Sequence, residues 1–193
     1  MTRALRVLAL EPYFGLSHRV FLEGYRKYSR HAVEVWSLPP RKWKWRMRSA
    51  AMHFAALARE APPENRPDVL LANDFLNLSD WRALAPEPFR NAPCVLYFHE
   101  NQITYPLSSK APRDFHYGWI NLSSALGAER VLFNSSYHLE EFLGEVDRVL
   151  NRMPDHVPRG LPQEIRARSD VFPVGIDFEP HRACLEEDRK SVV

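Results

Sequence analysis

Short apolar runs alternate along the chain with longer stretches whose apolar positions recur every three or four residues. The runs Arg6 to Leu10 (RVLAL), Val33 to Leu38 (VEVWSL), Asp68 to Ala72 (DVLLA), Cys94 to Phe98 (CVLYF), Arg130 to Phe133 (RVLF) and Asp170 to Val174 (DVFPV) predict strands. Pro39-Pro40 stops the second of them. Ser17 offers an N-cap for a helix to about Tyr28, with Val20, Phe21, Gly24, Tyr25 and Tyr28 on one face. A second helix runs from Trp43 to Glu60, with Met47, Ala50, Ala51, Phe54, Leu57 and Ala58 inward. Leu78 to Leu84, Phe115 to Ala128 and Tyr137 to Val149 complete the helical stretches. Short continuous apolar strands separated by helices mean parallel strands buried on both faces. The predicted fold class is α/β: an open, doubly wound, mostly parallel sheet with helices on both faces. One domain is expected over residues 1–180, with 181–193 as a tail or the start of a hinge.

In such sheets ligands sit beyond the carboxyl ends of the strands. The first strand runs into Glu11-Pro12-Tyr13-Phe14-Gly15-Leu16-Ser17-His18, and the third into Asn73-Asp74. His99-Glu100-Asn101-Gln102 follows the fourth strand, and Asn134-Ser135-Ser136 the fifth. Polar groups thus collect on one edge of the sheet, which marks a candidate site. Gly15 allows close backbone approach, and the free amides around Ser17 and His18 suit an anion. Neither G-x-G-x-x-G nor G-x-x-x-x-G-K-[ST] is present, so no dinucleotide or P-loop fingerprint is read. His99 and Glu100 are the candidate catalytic pair, although a hydrogen-bonded loop histidine is the plainer account. The eight histidines show no metal-ligand spacing, so no metal is expected. Arg113 and Asp114 precede a helix in a ligand-facing position, where Asp114 also reads as a cap.

Charge adds a partner class. The net charge is only +2, but residues 1–60 carry twelve Lys/Arg against four Asp/Glu. The excess is concentrated in PPRKWKWRMRSA, where Arg41, Lys42, Lys44, Arg46 and Arg48 interleave with Trp43 and Trp45. Cations meet phosphates and indoles stack on bases, so this stretch is a candidate RNA contact. On charge alone, solvated helix faces are the simpler account. With 193 residues and 45% apolar content, the chain can bury a sizeable core. No run of about 18 apolar residues exists, and the N-terminus reads as a strand instead of a signal peptide. No membrane association is expected. Cys94 and Cys184 form no paired motif, which favours a reducing, cytoplasmic setting.

Taken in order, EPYFGLSH, LPPRKWKWRMRSAAMHF, ANDFLNLSDW, LYFHENQITYP, RDFHYGWINLSSALGAERVLFNSSYHLEEFL and MPDH resemble the N-terminal domain of the tRNA-queuosine mannosyltransferase family. The resemblance covers about residues 4–180. It implies the Rossmann-like first half of a GT-B fold and retaining transfer of mannose from GDP-mannose to queuosine in tRNA. It implies no further cofactor. It also implies a second, donor-binding domain beyond FPVGIDFEPHR, without which the chain is expected to be inactive. On this footing His99 contacts the donor sugar or acceptor hydroxyl, and Glu100, Asn101 and Gln102 orient acceptor hydroxyls. Gly15, Ser17 and His18 face the diphosphate or acceptor, while Asn73, Asp74, Arg113, Asp114 and Asn134 line the remainder. Arg41, Lys42, Lys44, Arg46 and Arg48 contact tRNA phosphates. The first turn departs from the family in carrying Leu16 where a second glycine is usual. An RNA-binding module without chemistry, or a GT-B domain for a different acceptor, are the alternatives.

Overall fold

The computed structural model describes residues 3–106 and 114–175, together with Phe178 and Arg182. Arg113 and most of the 181–193 segment lie outside the described residues. Six strands, β1 (Arg6–Glu11), β2 (Ala32–Ser37), β3 (Val69–Asn73), β4 (Cys94–Phe98), β5 (Arg130–Phe133) and β6 (Ser169–Val171), form one sheet in the order β2-β1-β3-β4-β5-β6. Every neighbouring pair is parallel. The helices are α1 (Leu16–Tyr28), α2 (Trp43–Glu60), α3 (Leu78–Leu84), α4 (Glu87–Arg90), α5 (Phe115–Gly127), α6 (Ser136–Leu150) and α7 (Leu161–Ala167). The chain leaves β1 to one side for β2 and returns to the other side for β3. The carboxyl ends of β1 and β3 are therefore a topological switch point.

Alternation along the strands sorts the core into two layers. Leu8, Leu10, Leu70, Ala72, Cys94, Leu96, Phe98, Val131 and Phe133 pack under α2, α3, α5 and α6. Val7, Ala9, Leu71 and Tyr97 face the other way, against Phe21, Leu22 and Tyr25 of α1. Helices thus cover both faces, but unequally. Full burial of a large apolar side chain contributes about 1.5–3 kcal/mol, so the layer holding Phe54, Trp81, Phe98, Phe133 and Phe142 dominates stability. The Cys94 thiol is free and buried, and burial pushes its pKa up to about 12. It behaves as a small apolar residue.

Three expectations need correction. Helix α1 is capped by Gly15 instead of Ser17, and it buries His18 and Leu22 while Val20 and Tyr28 are 58% and 74% exposed. The histidine, counted as polar, turns its ring into the strand ends and sets the rotation of the helix. In α2, Leu57 is exposed and Ala55 buried in its place, so that four alanines let the helix lie close to the core. The last strand begins at Ser169 and stops at Val171, since Pro173 lacks the N–H that would continue the ladder. Helices α4 and α7 have four and seven residues, too few for a helical period to register in the sequence.

Candidate functional site

Glu11 ends β1, directly after the apolar run Val7-Leu8-Ala9-Leu10, and is 1% exposed. Its Oε1 accepts the Tyr13 N–H at 2.7 Å, and its Oε2 lies 3.2 Å from His18 Nδ1. Asn73 ends β3. Its Oδ1 accepts the Phe75 N–H at 3.0 Å, and its Nδ2 stands 3.0 Å from the same His18 nitrogen. The His18 ring stacks on His99 with centroids 4.0 Å apart, while Phe21 and Tyr97 meet His99 edge-on. Asp74 Oδ1 accepts the His99 N–H at 3.0 Å, and Asn134 Nδ2 donates to the His99 carbonyl at 2.8 Å. The ends of β1, β3, β4 and β5 therefore converge on one histidine pair, as the strand-end pattern predicts.

Burial and charge divide the labour in this cluster. His99 is pushed down to about 3 by burial first and by His18 and His138 second, so its imidazole is neutral. Burial also pulls His18 down, but the Glu11 bond and the charges of Asp74, Glu11 and Glu100 outweigh it, and its pKa is raised. Asp74 is pushed up to about 7 by burial, with Glu100 and Glu11 adding to the shift against His18 and the His99 N–H. Burial raises Glu100 too, opposed by His18 and by a 3.2 Å bond from Gln102 Nε2. A neutral imidazole able to donate and accept thus lies against an ionisable one ringed by carboxyls. That arrangement suits the recognition of hydroxyl groups.

Behind this layer the loop after β4 is tied down by saturated amides. Asn101 Oδ1 accepts the N–H groups of Ile103 and Thr104, and its Nδ2 donates to Thr104 Oγ1 and to His138 Nε2. His138 Nε2 is therefore the acceptor nitrogen, and Nδ1–H donates to Asn134 Oδ1 at 3.1 Å. Asn121 of α5 accepts the Gln102 N–H and donates to the Asp74 carbonyl. Asn101 and Asn134, read from sequence as ligand contacts, spend their hydrogen bonds holding the loop. Phe21, Asn121 and His138 are members that the sequence reading missed, while Glu11 and Tyr13 stand in the strand-end stretch it named but received no role there. A charge closing an apolar run signalled Glu11; the others meet the site only through tertiary packing.

Gly15 reaches its position for a different reason from the one expected. Its φ of −162° is open to any residue, but an added Cβ would stand 2.6 Å from Pro40 Cβ. Close packing on the Pro39-Pro40 segment is what demands glycine. Leu16 holds the positive φ of 49°, and Ser17 is exposed on the first turn. Among the basic residues, Lys44 Nζ lies over Trp43 and Tyr117, and Arg48 over Tyr117, where it also comes within 4.0 Å of Asp114. Asp114 caps α5 by accepting the His116 N–H. Arg41 and Lys42 are exposed, and Arg46 Nε reaches the Pro39 carbonyl at 3.4 Å. Ring contacts from Tyr117 to Trp43, Trp43 to Phe75 and Phe75 to His18 join this basic helix start to the strand-end cluster. No group of His, Cys, Asp and Glu among the described residues is arranged to hold a metal. No helix among them is long and apolar enough to cross a membrane.

Residues 6–176 match the sequence profile of the tRNA-queuosine alpha-mannosyltransferase N-terminal family. A curated tRNA-queuosine alpha-mannosyltransferase of Drosophila melanogaster is 35% identical over 186 residues, covering 93% of this chain and 48% of that protein. The chain thus spans about half the length of this relative. Among solved structures, Arabidopsis thaliana UGT89C1 complexed with quercetin superposes with a TM-score of 0.49 at 14% identity, over 97% of this chain and 55% of that one. Phytolacca americana UGT2 complexed with UDP-2fluoro-glucose and pterostilbene gives 0.46 at 14% identity, over 90% and 54%. The profile match spans the whole parallel sheet and every strand end of the cluster, and on that match the chain belongs to the tRNA-queuosine alpha-mannosyltransferase N-terminal family.

Proposed function

We propose that this chain is the acceptor-side domain of a retaining glycosyltransferase that moves mannose from GDP-mannose to queuosine in tRNA, in the cytoplasm and without a resident cofactor or metal. The observation that carries this reading is the His18–His99 stack at the switch point, joined by ring contacts to the basic start of α2. Family membership supports the substrate class. In this reading His99 hydrogen-bonds a hydroxyl of sugar or acceptor as a neutral imidazole, and Glu100, braced by Gln102, orients the second hydroxyl of the cyclopentenediol. The acceptor oxygen bonds to the sugar carbon as the bond to the diphosphate oxygen breaks; that electron pair leaves with the nucleotide, and the leaving diphosphate oxygen takes the proton of the acceptor hydroxyl. A nucleotide-binding domain contributed by the rest of a full-length protein completes the cleft. Arg41 and Lys42, exposed beside the site, contact tRNA phosphates.

Binding of queuosine-modified and unmodified tRNA at several salt concentrations tests the reading. Modified tRNA should bind more tightly, and His99→Ala should remove about 3- to 10-fold of that preference, the worth of one neutral hydrogen bond. Arg41→Ala and Lys42→Ala should each lower the slope of log K against log salt by about 0.7–0.9 without altering the preference. Equal binding of both tRNAs would leave a bare RNA-binding module, which the exposed basic residues alone would support. Absence of binding would exclude both. Mannosyl-queuosine formation by a protein that includes the second half tests the chemistry.

A further inference from the structure

His18 Nδ1 sits between two partners with opposite demands. Glu11 Oε2, 3.2 Å away, can only accept from it, and Asn73 Nδ2, 3.0 Å away, can only donate to it. Neither partner is free to turn. The other Glu11 oxygen is held by the Tyr13 N–H, and the Asn73 oxygen by the Phe75 N–H. Glu11, His18 and Asn73 are 1%, 5% and 5% exposed, so water does not relieve the conflict. Nδ1 satisfies Glu11 when it carries a proton and Asn73 when it does not. Nε2 hydrogen-bonds to no described residue, although its ring is buried.

We propose that Glu11 is a positioning residue of this site: it keeps the Nδ1 proton on His18 against Asn73, and so makes Nε2 the nitrogen that gains and loses a proton towards a ligand. An uncompensated carboxylate in this setting is far more costly than an idle amide N–H, which is why Glu11 wins. The carboxyls around the ring favour the imidazolium, in which Nδ1 carries its proton. Glu11 comes from β1, Asp74 follows β3, and His99 and Glu100 follow β4. The first turn of α1 contains no acid, and Arg19 next to His18 is turned to Glu23 at the surface. With Nδ1–H fixed, Nε2 donates as imidazolium at lower pH and accepts as the neutral ring at higher pH. A hydroxyl can answer both states, whereas a phosphate oxygen answers only the first. The ligand class is therefore a hydroxyl-bearing sugar or cyclitol, which deepens the proposed function; the placement of the proton does not depend on it.

Nitrogen-15 spectra of assigned His18 across a pH titration test the inference without any ligand. In the wild type Nδ1 should stay protonated throughout while Nε2 titrates. In Glu11→Gln the new carbonyl stays on the Tyr13 N–H and the amide N–H faces Nδ1. The neutral ring should then become the Nε2–H tautomer, with a lower titration midpoint. Asn73→Asp keeps the Phe75 contact, replaces the competing donor by an acceptor and should raise the midpoint with Nδ1–H retained. This variant answers the question even if Glu11→Gln does not fold. An Nε2–H tautomer in the wild type, or an unchanged tautomer in Glu11→Gln, overturns the inference. Queuosine-modified tRNA should bind the wild type with an affinity that changes across the His18 titration, a dependence that Glu11→Gln loses. Failure of tRNA binding with the expected spectra would remove the proposed function and leave the role of Glu11 standing.

Discussion

Leu16 opens α1 at a φ of 49° with its side chain 85% exposed. A left-handed conformation costs a branched residue about 1–2 kcal/mol, and no burial offsets it here. Leu16→Gly should therefore stabilise the chain by up to about 1 kcal/mol after the added freedom of the unfolded glycine is deducted, read as a higher urea midpoint. The neighbouring position behaves oppositely. Gly15→Ala drives a Cβ into Pro40 and should cost about 1–3 kcal/mol, partly restored by Pro40→Gly in the same chain. Ionisation adds a pH dependence with two slopes. Asp74 titrates at about 7 in the fold against an ordinary value near 4, so the folded state holds the extra proton and stability falls as pH rises through that window. His18, raised by its carboxyl neighbours, falls in the same direction. His99 and His138 are lowered, so stability also falls as pH drops below about 6.5. Asp74→Asn should flatten the fall in stability between about pH 4 and 7 and leave the variant more stable than the parent at pH 8, as urea midpoints across pH 5–8 would show; equal midpoints at pH 8 would refute the burial argument.

Among the elements, the segment after β4 shows most clearly what can be read in advance. His18, His99, Asn73, Asp74 and Glu100 were legible because strands in an open sheet must end on the same edge, and polar residues at several ends gather there. What fixes the segment was not legible. Asn121 lies 19 residues beyond its partner Gln102, and His138 lies 37 beyond Asn101. Nothing in spacing links such pairs until the crossover helices dock. Strands β1, β3, β4 and β5 were plain, because buried parallel strands are continuous apolar runs, whereas the exposed β6 was placed late and too long; α2 was found to the residue. The face of α1 was misread since an inward histidine weighs as polar in any apolar period. His138→Leu removes a donor and an acceptor from the Asn134–His138–Asn101 chain. It should cost about 1–3 kcal/mol and speed amide exchange at Ile103 and Thr104 before it affects the sheet.

At the scale of the whole molecule, charge and topology act together. The excess of cations in residues 1–60 falls on the half of the sheet whose helix α2 starts beside the site, so attraction of a polyanion would draw it towards the histidine pair. The all-parallel sheet has a further consequence, in time instead of space. No two neighbouring strands are joined by a hairpin, so no strand can pair before a whole crossover has been made. The β1 run, first to leave a ribosome, waits for residues 32–37 on one side and residues 69–73 on the other. During that wait Val7, Leu8, Ala9 and Leu10 have no sheet partner to shield them. Refolding from urea should accordingly be slow for a chain of this size, in the range of milliseconds to seconds. It should also lose yield as protein concentration rises, because the intermediate that competes with folding is a strand looking for an edge.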